Sequence, residues 1–142
     1  MRIAFFDSGI GGLTVLKQAL AALPNEEYLY FADTRNVPYG LKPKDQVQSH
    51  IIAATEFLFK QNIQALVVAC NTATSVAIAD LRKRYAIPII GMEPAVKPAL
   101  AKNKGKKILV LATSLTLRES KLETLITRLD ASNRVERREL DN

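Results

Sequence analysis

The chain has 142 residues, 48% hydrophobic and 24% charged, which is enough apolar material for one packed domain or a little more and excludes a disordered polymer. Lys and Arg number 20 against 14 Asp and Glu, a net charge of +6 concentrated beyond residue 96, but aromatic residues stop at Tyr85 and neither zinc spacing nor a recognition helix accompanies the basic stretch, so nucleic acid is not an expected partner. The single cysteine excludes an internal disulfide and fits a reducing cytoplasm, and with no long apolar run and an acid as early as Asp7, neither a membrane span nor a signal peptide is expected.

In chain order, an apolar run predicts a first strand at 3–6, followed by a helix at 12–23 and a second strand at 28–32. Residues 43–60 predict a helix because Val47, Ile51, Ala54 and Leu58 recur at three- and four-residue steps. A third strand at 65–69 leads to a helix at 72–85, a fourth strand at 87–90 to a helix at 94–101, and a fifth strand at 107–112 to a helix at 117–130. Residues 134–140 are a candidate sixth strand, with Val135 and little other apolar content, and the Lys-rich segment 100–106 around Gly105 is the linker candidate. Short strands apolar on both faces and alternating with helices predict the α/β class, an open parallel sheet with helices on both faces.

In such a sheet, ligands bind beyond the carboxyl ends of the strands. Each predicted strand here runs into a polar cluster: Asp7 to Gly12, then Asp33 with Pro38, Tyr39 and Gly40, then Cys70, Asn71 and Thr72, then Gly91 to Pro94, then Thr113 to Thr116. Five clusters delivered to one edge are hard to explain by packing alone. Residues 8–13 lack both the third glycine of a dinucleotide loop and the Lys of a P-loop. Cys70 has Val76 six positions on, where a cysteine phosphatase needs Arg, and no second Cys is present for dithiol chemistry. His50, the one histidine, falls in a predicted helix and reads as a packing or surface residue, and no cluster has metal spacing. Cys70 is placed at a helix N-terminus, where the dipole is expected to lower its pKa and favour the thiolate. The residues that remain are a thiol, a carboxylate and many small hydroxyl and amide donors, a set suited to a small anionic substrate and to proton transfer without metal or cofactor.

Five ordered motifs, FDSGIGGLTVL at 6–16, YFADTRNVPYG at 30–40, ACNTATS at 69–75, GMEP at 91–94 and LATSLT at 111–116, resemble those of the glutamate racemases in the aspartate/glutamate racemase family. The likeness runs to about residue 126, and Leu115 stands where that family commonly has glycine. The resemblance implies a protein about twice this length, with two α/β domains and the site in the cleft between them. It implies a first domain at 1–93 and a partial second domain at 94–142, cut before its sheet is complete, so that the strand at 107–112 would lack neighbours. It also implies cofactor-independent interconversion of L- and D-glutamate by two cysteines on opposite faces of the α-carbon, supplying D-glutamate for peptidoglycan in the cytoplasm. Cys70 matches the first thiol; the second, in a GCTH motif, would lie beyond residue 142.

Carried over residue by residue, the resemblance makes Cys70 an acid/base and places Asp7, a second catalytic residue, and Ser8 at the substrate amine, where both help tune the thiol. Pro38, Tyr39 and Gly40 would line the pocket, and Asn71, Thr72, Thr113 and Thr116 would bind substrate. Plainer alternatives stand beside these roles. Asp7 can cap the helix at Gly12, residues 38–40 can be an ordinary turn, Asp33 can order its own loop, and Glu93 can be a helix N-terminal acid. Three functional readings follow: a glutamate racemase half acting on glutamate, with no membrane or nucleic-acid partner and a homo-oligomeric state open to it; an aspartate racemase relative; or an inactive fragment that only binds or associates.

Overall fold

The computed structural model describes residues 1–129 and 131–140. Strand β1 (Arg2–Asp7) is buried along nearly its whole length, and its side chains alternate between two apolar layers. Ile3 and Phe5 pack with Val15, Leu16 and Ala19 of helix α1 (Leu13–Ala22). Ala4 and Phe6 point the other way, into a larger core with Val47, Ile51 and Leu58 of α2 (Lys44–Phe59) and with Ala73, Ala77 and Leu81 of α3 (Asn71–Arg84). The sheet therefore has helices on both faces, as its two-sided apolar strands require.

Four parallel strands make this sheet, in the order β2 (Glu27–Ala32), β1, β3 (Ala65–Val68), β4 (Ile89–Gly91). β1 lies between two neighbours, pairing Phe5 with Tyr30 on one side and with Val67 on the other. Between β2 and α2, a short 3-10 turn at Thr34–Asn36 precedes a cis Val37–Pro38 peptide.

A second, two-stranded parallel sheet joins β5 (Ile108–Ala112) to β6 (Val135–Glu139). Between them in sequence lie α5 (Ser114–Arg118) and α6 (Ser120–Arg128), and before them α4 (Val96–Lys102). Val96, Val110, Leu122, Leu125, Ile126 and Val135 form its core. The hydroxyls of Thr72 and Thr113 and the ion pair of Lys44 with Glu119 connect it to the first sheet. Among the described residues, no helix is long and apolar enough to cross a membrane.

Several expectations need correction. The helix expected at 117–130 is two helices, α5 beginning at Ser114 and α6 at Ser120, divided by Glu119 in an extended conformation; residue 130 lies outside the described residues. The strand at 107–112 does not lack neighbours, since β6 pairs with it. Two-sided burial fails there: Val110 is buried, whereas Leu109 and Leu111 on the opposite face are 52% and 55% exposed. The linker expected at 100–106 is a turn only at its end, because α4 runs to Lys102; Gly105 takes a left-handed φ of 76° in that turn, which glycine adopts without strain.

Candidate active site

Asp7 ends β1 and opens the glycine loop. Its Oδ2 accepts hydrogen bonds from the backbone N–H of Gly12 at 3.1 Å and of Gly9 at 3.3 Å, so the carboxylate organises the turn into α1. The Tyr30 hydroxyl closes the other side, donating to the Gly9 carbonyl at 3.0 Å and lying 3.5 Å from the same Oδ2. Burial, then the Asp7 charge, push the Tyr30 phenol up to about 12. A Cβ on Gly12 would lie 2.8 Å from the Ala69 Cβ and 3.0 Å from both the Asp7 Cβ and the Tyr30 hydroxyl. Only glycine lets the loop pack this closely.

Cys70 is the N-cap of α3, held extended between the end of β3 and the first helical turn. Its Sγ accepts from the Ala73 N–H at 3.4 Å and shares a hydrogen bond with the Ser8 hydroxyl at 3.5 Å. The placement at a helix N-terminus agrees with the sequence, but the expected lowering of the pKa does not hold. Burial pushes the thiol up, and the Asp7 charge adds to the rise; the hydrogen bonds from Ala73 and Ser8 oppose it and are outweighed. Cys70 as a whole is 7% exposed.

Thr113 caps α5 as Cys70 caps α3, accepting from the Thr116 N–H at 3.3 Å. Its hydroxyl, that of Thr116 and that of Thr72 form a closed triangle with sides of 3.0–3.1 Å. Asn71 and Thr72 begin α3, so the triangle fastens the helix that bears Cys70 to the second sheet.

These elements surround a cavity of about 740 Å³. Asp7, Gly11, Gly12, Cys70, Asn71, Thr72, Met92, Pro94, Thr113 and Thr116 line it, and the length of β5 forms an apolar side. Four of the five polar clusters therefore converge. The second does not reach this cavity. Tyr39 is 3% exposed, and its hydroxyl donates to Asp33 Oδ2 at 2.6 Å, with burial and that bond raising its pKa. Asn36 donates to both oxygens of Asp33, so Asp33 orders the loop that carries Pro38. Gly40 lines a separate cavity of about 390 Å³ with Lys42 and Arg118. Ser8 reaches the site through its bond to Cys70 rather than as cavity wall.

Glu93 is not the helix N-terminal acid expected of it, since α4 has no acid in its first turn; it does not line the main cavity, and its carboxylate lies 3.8 Å from Lys121. His50 sits within α2, half-buried, with Nε2 buried and without a hydrogen-bond partner. Sequence reasoning did not find Thr74, whose buried hydroxyl joins the ends of two strands; its place four residues after the cap of α3, facing the sheet, was the available signal.

The chain is 60% identical to a glutamate racemase of Halothermothrix orenii over 96% of its length and 54% of that protein's. It is 58% identical to glutamate racemase 2 of Bacillus subtilis over 92% of its length and 50% of that protein's. Escherichia coli glutamate racemase, solved in complex with L-glutamate and the activator UDP-MurNAc-ala, superposes with a TM-score of 0.88 at 32% identity, covering 97% of this chain and 52% of that one. The chain thus spans about half the length of the curated relatives it matches. The family model described as Asp/Glu/Hydantoin racemase matches residues 12–141, so the chain belongs to that family of racemases.

Proposed function

We propose that this chain provides one wall of a glutamate racemase site and one of its two acid/base groups. The observation that carries the proposal is the Cys70 thiol, set at the head of α3 beside amide and hydroxyl donors in a single cleft, within a chain 60% identical to a glutamate racemase. In this reading the Cys70 thiolate removes the α-proton from one face of glutamate. The burial that raises its pKa makes the thiolate a stronger base toward that weakly acidic proton, although fewer thiolates form. Asn71, Thr72, Thr113 and Thr116 supply donors for the substrate carboxylates and Asp7 and Ser8 face its amine, while Pro38, Tyr39 and Gly40 lie outside this cavity. No cofactor enters.

Inversion requires a proton returned from the opposite face. The chain has one cysteine, so the returning acid, which the resemblance assigns to a GCTH motif, belongs outside these 142 residues. The division into a first α/β unit at 1–93 and a second from 94 is part of the same proposal and follows the two separate sheets. D-glutamate for peptidoglycan is the product this reading assigns to the whole enzyme.

Calorimetric titration with L-glutamate, D-glutamate and L-aspartate tests it. Both glutamate enantiomers should bind, and aspartate more weakly; absence of glutamate binding, or equal binding of aspartate, refutes the assignment. Chiral chromatography after incubation with L-glutamate should find no D-glutamate made by this chain alone. Turnover in the ordinary enzymatic range, about 1–1000 per second, would show that one cysteine suffices and overturn the two-thiol mechanism.

A further inference from the structure

Thr55 and Thr74, each 0% exposed inside a helix, use their hydroxyls differently. Thr55 in α2 bonds back to the Ile51 carbonyl of its own helix at 2.9 Å, the usual recourse of a helical threonine. Thr74 in α3 reaches out instead. Its hydroxyl donates to the Val68 carbonyl at 3.1 Å and accepts from the Met92 N–H at 3.0 Å. Val68 is the last residue of β3, and Met92 follows the last residue of β4.

The ladder between these strands shows what that hydroxyl replaces. Leu66 pairs with Ile89 and Val68 with Gly91, and the Leu66 N–H bonds the Pro88 carbonyl. Continued by one rung, a parallel ladder would join the Met92 N–H directly to the Val68 carbonyl. Thr74 takes both groups, so the last rung is a hydroxyl wide. Its methyl also fixes Gly91, where a Cβ would lie 2.7 Å from Thr74 Cγ2 and 3.1 Å from Ile78 Cδ1. Beyond the widened rung, Met92, Pro94, Ala95 and Val96 form the cavity wall facing Cys70.

We propose that Thr74 is a positioning residue that inserts its hydroxyl between the tips of β3 and β4 and thereby sets the width of the cleft between Cys70 and the wall at Met92. The effect on glutamate rests on the function proposed above; the effect on width does not. Without the hydroxyl, the Val68 carbonyl and Met92 N–H meet directly or stay unpaired, and the wall shifts toward Cys70 or loosens.

The test compares wild type, Thr74→Val, Thr74→Ala and Thr74→Ser. Cys70 is alkylated with iodoacetamide and with a bulky N-aryl iodoacetamide, and the ratio of the two rates reports the width. The ratio should change about fivefold in Thr74→Val, the scale of one lost buried hydrogen bond, and return to within about twofold of wild type in Thr74→Ser, which keeps the hydroxyl. If Thr74→Val does not fold, Thr74→Ala carries the same expectation without the added bulk. An unchanged ratio in the hydroxyl-free variants, or a Thr74→Ser ratio as altered as theirs, overturns the proposal. Glutamate affinity, measured on the same proteins, should follow the ratio. If wild type binds no glutamate, the proposed function fails, and the alkylation ratio still decides the role of Thr74.

Discussion

The Ser8 hydroxyl lies 3.5 Å from the Cys70 thiol across 62 residues of sequence, so the glycine loop and the head of α3 meet at the reactive atom. That contact favours the thiolate but is outweighed by burial. The rate of Cys70 alkylation against pH should therefore have a midpoint above that of a free cysteine, about 8.5. Ser8→Ala should move it higher still. A midpoint at or below the free value, or a downward shift on losing the hydroxyl, contradicts the balance described for this site.

The same shift bears on stability. The folded chain keeps the Cys70 proton to higher pH than the unfolded chain, so it binds more protons in the alkaline range, and stability falls as pH rises past the ordinary thiol value. Below that value the contribution is fully present. Melting temperatures of wild type and Cys70→Ser, followed from neutral pH upward, should diverge, with wild type declining more steeply. Parallel curves would mean that the thiol ionises as freely when folded as when unfolded. Tyr30 and Tyr39, raised chiefly by burial and in part by the Cys70 charge, act in the same direction at still higher pH, so the comparison is read below the range where they ionise.

Gly12 and Gly9 separate close packing from loop composition. A methyl on Gly12 meets Ala69, Asp7 and Tyr30, whereas one on Gly9 meets nothing within 4 Å. Gly12→Ala should cost about 1–3 kcal/mol, the usual range for overpacking, and Gly9→Ala should leave the unfolding midpoint nearly unchanged. Urea titration of both variants checks this. Equal effects would mean that the loop tolerates the crowding at Gly12.

Hydrogen exchange should divide the chain. β3 lies between two partner strands with helices over both faces, whereas β5 has one partner and one uncovered face. Amides of Ala65–Val68 should exchange slowly and those beyond residue 105 much faster, as expected of a two-stranded sheet. Uniform protection through residue 140 in a monomer would show that the smaller sheet is as stable as the larger.

The first three strands could be read from sequence because each is apolar at nearly every position, a pattern that only two-sided burial explains. The break at Glu119 could not, since neither Gly nor Pro marks it and the apolar spacing continues through Leu122 and Leu125. β6 was faint because one of its faces packs through Val135 alone, while Arg137 on that face pairs with Glu123 of α6. Site residues at strand ends were legible by position. The direction of the Cys70 shift was not, because the helix dipole is local and foreseeable while burial is assembled from distant segments. The triangle of Thr72, Thr113 and Thr116 was likewise hidden: each threonine was visible, their mutual bonds were not.

A strand with no polar face carries little information about its alignment. Sliding β1 by one residue would exchange Ile3 and Phe5 for Ala4 and Phe6 between two cores that both accept hydrophobes, so the usual penalty for misregistration is weak. The ends hold the alignment instead. At one end the Arg2 guanidinium reaches the Gln61 carbonyl and Glu27, while the Arg2 N–H takes Gln64 Oε1. At the other, Asp7 is held by Gly9 and Gly12. The carboxylate that shapes the cleft is therefore also the stop that indexes the central strand, and the site and the sheet are fixed by the same side chain.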